Sequence, residues 1–128
     1  MKGCELETED AGMPIIVDSI DFDEKIIIES SKKPVVVDFW APWCAPCRAL
    51  SLSLDKISEE SPYAEQVVFA KVNIDDNPDI HRRFRIRSIP DVRIYLNGES
   101  VDSFNGAMPE NEIRAFISHW LTQGQTPA

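Results

Sequence analysis

A chain of 128 residues with 43% hydrophobic residues can bury one core and is short for two domains. Its formal charge of -9 argues against a nucleic-acid surface, which needs clustered Lys and Arg, and no apolar run approaches the roughly 18 residues that a membrane-crossing helix requires. Three cysteines, two of them at C-x-x-C spacing, do not make the framework of a disulfide-stapled secreted fold, and the acidic start is unlike a secretory leader, so a cytoplasmic location is expected.

In chain order, residues 1–12 read as a mobile acidic tail, residues 13–122 as the domain and residues 123–128 as a frayed end. Ile15-Ile16-Val17 predicts a first strand and Asp21 to Ser30 a short helix. Pro34 to Trp40 predicts a second strand that is β-branched and lacks polar alternation, as expected where both faces are covered. After Trp43, Leu50, Leu54 and Ile57 recur at i, i+4 and i+7, which places a helix there with Cys44 at its start. Val67 to Ile74 reads as a buried strand, and Asn77-Pro78 opens a short helix ending near Phe84. The run Arg82-Arg83-Phe84-Arg85-Ile86-Arg87 is read as a solvated helix end rather than a site for an anionic partner.

Val92 to Leu96 and Val101 to Phe104 flank Asn97-Gly98, a strong hairpin signal. Ile113, Phe116, Ile117, Trp120 and Leu121 define one face of a final amphipathic helix. The order β-α-β-α-β-α-β-β-α predicts an α/β fold: a mixed sheet with a parallel centre and an antiparallel edge, between helical layers.

Chemistry concentrates in Trp43-Cys44-Ala45-Pro46-Cys47, between a buried strand and a helix. Unpaired N–H groups and the helix dipole stabilise an anion at the helix start, so the Cys44 thiolate is favoured relative to a free cysteine of pKa about 8.5. Cys44 is then the nucleophile and Cys47, one turn along, the resolving thiol. The competing reading of C-x-x-C is half a zinc site, but only Cys4, His81 and His119 remain as strong ligands, in the tail and on separate predicted helices. Neither metal nor cofactor is expected. Asp38, a lone carboxylate in an apolar strand, should have a raised pKa suited to proton transfer.

The pieces Val36-Val37-Asp38-Phe39-Trp40-Ala41, Trp43-Cys44-x-Pro46-Cys47, Ala70-Lys71-Val72-Asn73-Ile74-Asp75, Ile89-Pro90, Asn97-Gly98 and Gly106-Ala107 resemble the thioredoxin family over nearly all of Pro14 to Leu121. The resemblance implies the thioredoxin fold, reduction of protein disulfides, and a thioredoxin-reductase-type electron donor; a monomer is expected. It implies that Asp38 lies beneath the resolving cysteine and relays a proton to or from Cys47, against the alternative of a core carboxylate paired with Lys71. Pro90 matches the family's cis-proline beside the disulfide, which leaves the Ile89 backbone to pair with an extended substrate. Trp43 and Gly106 match the rim of the substrate groove, a plain turn glycine being the alternative at Gly106. Trp40 is expected to support the active-site loop, and Pro46 to set the redox poise.

Three positions depart from the family pattern. Ala45 stands where glycine is usual, and Leu52 where a proline kinks the helix, so a straighter helix is expected. Asp91 stands in place of threonine after Pro90, where it would either oppose the Cys44 thiolate and repel acidic partners or be a harmless turn residue. Cys4 is expected to be a tail thiol without a role, and His81 and His119 to be helix-surface residues. The stretch Val101 to Glu110 is also similar to the thioredoxin domain of bacterial chaperedoxins, which makes a chaperone-type binding module the alternative function. The intact cysteine motif favours a reductase, and the absence of histidine between the cysteines speaks against an oxidase or isomerase.

Overall fold

The computed structural model describes residues 14–125, with side chains through Leu121. The elements are β1 (Ile15–Ile16), a helical stretch from Ser19 to Ser31, β2 (Val35–Trp40), α1 (Ala45–Ser58), α2 (Tyr63–Gln66), β3 (Val68–Asn73), α3 (Pro78–Arg83), β4 (Asp91–Leu96), β5 (Glu99–Asn105) and α4 (Glu110–Gln125). The five strands form one sheet in the order β1-β3-β2-β4-β5. β1, β3 and β2 run parallel, while β4 is antiparallel to both β2 and β5. This is the mixed sheet expected from the element order. The hairpin turns at Asn97 and Gly98, both at positive φ (51° and 84°), the combination that Asn-Gly adopts most readily.

Successive residues of a strand face opposite sides, so the sheet carries two cores. Val35, Val37 and Phe39 of β2 join Ala70, Val72 and Tyr95 against Phe22, Ile26 and Ile80. Val36 joins Phe69, Val92 and Ile94 against Leu50, Leu54 and Ile57 of α1 and Ile113, Ile117 and Leu121 of α4. Asp38 lies opposite Val92 and Lys71 in the ladder, and so belongs to the α1 side of the sheet.

The helices differ from expectation in three places. The helix expected over Asp21 to Ser30 is a 3-10 turn (Ser19–Asp21), a six-residue π-helical stretch (Asp23–Ile28) and a second 3-10 turn (Glu29–Ser31). Three consecutive β-branched residues, Ile26 to Ile28, disfavour a regular α-helix, and Ser30 and Ser31 donate hydroxyl hydrogen bonds to the Ile27 and Ile28 carbonyls. α2 was not foreseen, because four residues are too few to show a period. Its Tyr63 hydroxyl lies 2.7 Å from Ser118 Oγ on α4. The helix α4 continues through Gln125, past the predicted end at residue 122. The tail expected over residues 1–12, with Cys4, and the last residues 126–128 lie outside the described residues.

Candidate functional site

The site forms where the C-terminal end of β2 meets the N-terminus of α1. Cys44 is the N-cap of α1, with extended backbone (φ -95°, ψ 106°), and its sulfur accepts a hydrogen bond from the Cys47 N–H at 3.2 Å. The sulfur occupies the place an Asp or Ser oxygen usually fills, and there the helix dipole favours negative charge. Pro46 sits in the first turn of α1, where it fixes φ and no intrahelical donor is lost. Arg48 ties the helix back to the loop through the Pro42 carbonyl at 2.9 Å.

Cys44 and Cys47 are joined in a disulfide, their Cα atoms 5.2 Å apart. Cys44 keeps 5% of its surface exposed and Cys47 none, so only the first cysteine can be approached from solvent. With Leu52 in place of a proline, α1 runs unbroken from Ala45 to Ser58.

The Ile89-Pro90 peptide is cis, and Ile89 brings its carbonyl oxygen to 3.9 Å from Cys44 Sγ. Among the described residues, neither backbone group of Ile89 has a backbone hydrogen-bond partner. Gly106 donates its N–H to the Pro90 carbonyl at 2.9 Å and has φ +85° with open space where a Cβ would stand. Its glycine character therefore answers to the backbone conformation rather than to a close neighbour. Trp43 is 68% exposed, its indole N–H held by Asp75 at 3.0 Å. Trp40, half-buried at the end of β2, accepts the Ile74 N–H at 2.9 Å and borders a cavity of about 310 Å³ that also reaches Ser51, Leu52 and Lys71.

Asp38 is 1% exposed and, among the described residues, neither carboxylate oxygen has a hydrogen-bond partner. Burial pushes its pKa up to about 7, against the pull of the Lys71 ammonium and with a push from Asp55 and Asp91. The pairing of Asp38 with Lys71 considered above does not occur. Lys71 faces Asp38 across the ladder, but its ammonium is taken by Asp55 at 2.7 Å and by the Ser51 hydroxyl. Neither of these holders was foreseen, although Cys47, Ser51 and Asp55 follow one another at i+4 along one side of α1.

Asp91 is likewise not a turn residue. It opens β4 opposite Phe39, on the sheet face away from Asp38, and is 5% exposed. Both its oxygens accept from the Arg93 guanidinium, at 3.0 and 3.2 Å, and that guanidinium lies over the rings of Phe39 and Phe84. The unpaired negative charge expected beside Cys44 is therefore compensated within the protein. Asp91→Asn is expected to destabilise the fold by about 2 kcal/mol, since it leaves Arg93 largely buried without its counter-ion, while shifting the Cys44 titration little. Denaturant midpoints and thiolate absorbance check the two halves separately; a Cys44 pKa lowered by about one unit with unchanged stability would contradict this.

A cysteine that caps a helix with its sulfur, within bonding reach of a shielded partner one turn further in, holds two electrons as a dithiol and gives them up by disulfide exchange as the pair closes to the disulfide, and this defines a thiol-disulfide oxidoreductase. The thioredoxin family model matches residues 14–119. The chain is 46% identical over 89 residues to a thioredoxin of Griffithsia pacifica, covering 70% of this chain and 78% of that one. It is 40% identical over 106 residues to a thioredoxin of Porphyra purpurea (83% and 95% covered) and 42% identical over 106 residues to a chloroplastic M-type thioredoxin of Pisum sativum (83% and 59% covered). The chain belongs to the thioredoxin family and is a protein-disulfide reductase. The chaperone-module alternative is not favoured. No helix among the described residues is long and apolar enough to cross a membrane.

Proposed function

We propose that the domain, residues 13–122, reduces substrate disulfides with Cys44 as the attacking thiol and Cys47 as the resolving thiol. The observation that carries this reading is the Cys44 sulfur at the N-terminus of α1, with Cys47 fully buried behind it. The Cys44 thiolate attacks one substrate sulfur; the substrate S–S bond breaks, one substrate thiolate leaves, and a mixed disulfide forms. The Cys47 thiol passes its proton to Asp38 and attacks Cys44 Sγ, the second substrate thiolate leaves, and the Cys44-Cys47 disulfide closes. Two electrons have moved to the substrate, and a thioredoxin-reductase-type donor restores the dithiol.

Asp38 suits the relay because burial brings its pKa near neutrality and no hydrogen bond from the described residues ties down either oxygen. Lys71, turned toward Asp55, supports the site from a distance. Trp43, Ile89, Pro90 and Gly106 form the groove in which an extended substrate pairs with the Ile89 backbone, while Trp40 and Pro46 hold the loop in shape. The protein acts as a monomer in a reducing compartment, the cytoplasm on the sequence reading. Alkylation of the reduced protein at neutral pH, followed by peptide mass mapping, tests the assignment of roles. Cys44 is expected to be labelled at least about tenfold faster than Cys47, and the reverse order would overturn it.

A further inference from the structure

We propose that the surface running from Trp43 to Arg87 docks an acidic stretch of the substrate polypeptide, a proposal that rests on the reading of Cys44 and Cys47 as the reactive pair. In a chain of net charge -9, four arginines fall within the six residues from Arg82 to Arg87, a run that the sequence alone reads as a solvated helix end; the helix stops at Arg83, so Arg85 and Arg87 lie beyond it and that reading does not cover them. The structure divides them. Arg83 pairs with Asp23 at 2.7 Å and lies over the rings of Phe22 and Phe84, so it is committed to the fold. Arg82, Arg85 and Arg87 are exposed and enter no ion pair among the described residues.

Arg87 stands where this charge can act on a substrate. It lines a cavity of about 110 Å³ whose other walls include Ile86, Trp43 and Ile89, the last two being the exposed residue that precedes Cys44 in the chain and the residue whose carbonyl oxygen lies 3.9 Å from Cys44 Sγ. An extended peptide lying along Ile89 would place one side chain in this small, mostly apolar recess and carry its next residues past the Arg87 guanidinium. Asp75 brings an opposing charge to Trp43, its carboxylate accepting from the indole. Asp91, which follows the cis-proline, is compensated by Arg93.

The overall negative charge does not cancel this local field. At physiological salt, charges more than about 8 Å away are largely screened, whereas a carboxylate in contact with Arg87 is not. A bidentate guanidinium-carboxylate pair selects Asp or Glu over neutral residues and repels Lys. A nucleic acid does not fit, because beyond this rim it would meet a predominantly acidic protein.

The test uses two peptides of identical sequence around a disulfide, one flanked by Glu and one by Lys. Turnover is measured with the wild type, Arg87→Gln and Arg87→Glu, and a second arm measures binding of the Ser-for-Cys peptides to the oxidised protein by fluorescence anisotropy. The wild type is expected to favour the acidic peptide about tenfold in kcat/KM, through KM, with the ratio shrinking toward one at about 0.5 M salt. Arg87→Gln should bring the ratio close to one, and Arg87→Glu should invert it. Equal use of the two peptides by the wild type, or a preference that both variants retain, would overturn the proposal. Hydroxyethyl disulfide, small and uncharged, reports on the dithiol chemistry alone. If the wild type fails to reduce it, the reading of the cysteines fails, and the binding arm still decides whether the surface selects acidic peptides.

Discussion

Cys44→Ser is expected to lower disulfide turnover by at least about a thousandfold, because a serine hydroxyl cannot form the mixed disulfide through which exchange must pass. Cys47→Ser should behave differently. Its Cys44 can still attack, but no second thiol releases the adduct, so the reaction stops after one substrate equivalent with the substrate bound covalently. Intact-mass measurement detects that adduct, and dithiothreitol reverses it. The asymmetry follows from position: Cys44 holds the capping site and a remnant of solvent exposure, whereas Cys47 has neither. Turnover retained by Cys44→Ser, or a stable adduct on Cys47 in that variant, would reverse the assignment. Both variants should fold, since a bridge between residues 44 and 47 closes too short a loop to restrict the unfolded chain much.

Asp38→Asn is expected to raise stability and slow resolution, in a pH-dependent way whose sign is fixed by the direction of the pKa shift. The folded carboxyl titrates near 7 because burial disfavours its charged form, whereas the unfolded one titrates near 3.9. Below about pH 4 both states hold the proton and Asp38 costs nothing. Between about pH 4 and 7 the unfolded state loses its proton first, so stability attributable to Asp38 falls by up to about 1.4 kcal/mol per pH unit and levels off above.

The variant should therefore match the wild type near pH 4 and exceed its stability by about 2 to 4 kcal/mol at pH 8, the upper figure being the full shift. Asp21, Glu60, Asp79 and Glu110, held below their ordinary range chiefly by hydrogen bonds from Lys25, Arg114, Ser19 and Lys56, contribute in the opposite sense at low pH. The difference between wild type and variant removes them. Collapse of the mixed disulfide should slow at least about tenfold near pH 7 and recover as the pH rises toward about 9, where hydroxide increasingly takes the Cys47 proton in place of Asp38. Equal collapse rates from about pH 6 to 9 would exclude the relay, and a stability difference independent of pH would exclude the buried titration.

The elements that were legible beforehand share a local cause. The i, i+4, i+7 spacing of Leu50, Leu54 and Ile57, the unbroken β-branched run in β2 and the Asn97-Gly98 turn each bias their own segment whatever the rest of the chain does. The helix expected over Asp21 to Ser30 differs from the observed stretch because the buried pair Phe22 and Ile26 gives a helical period while the isoleucine run and the serine hydroxyls pull the backbone from regular α geometry. The pair Asp91 and Arg93 was readable in principle, since positions i and i+2 of a strand share a face, but only if Asp91 was taken as the first residue of β4 rather than as a turn.

By itself the sequence determined the chemistry that depends on neighbours along the chain: a cysteine at a helix start, a second one turn later, and a carboxylate inside a strand with no polar face. Tertiary structure alone decided which charges meet between separate elements. Lys71 had two acids within reach, and it pairs with Asp55, which is half-exposed, and leaves Asp38 bare, because α1 packs across β3 with Ser51 and Asp55 turned toward the lysine. Such a choice depends on how a helix lies on a sheet and on how much water each carboxylate keeps, and neither quantity is encoded in the spacing of residues along one segment.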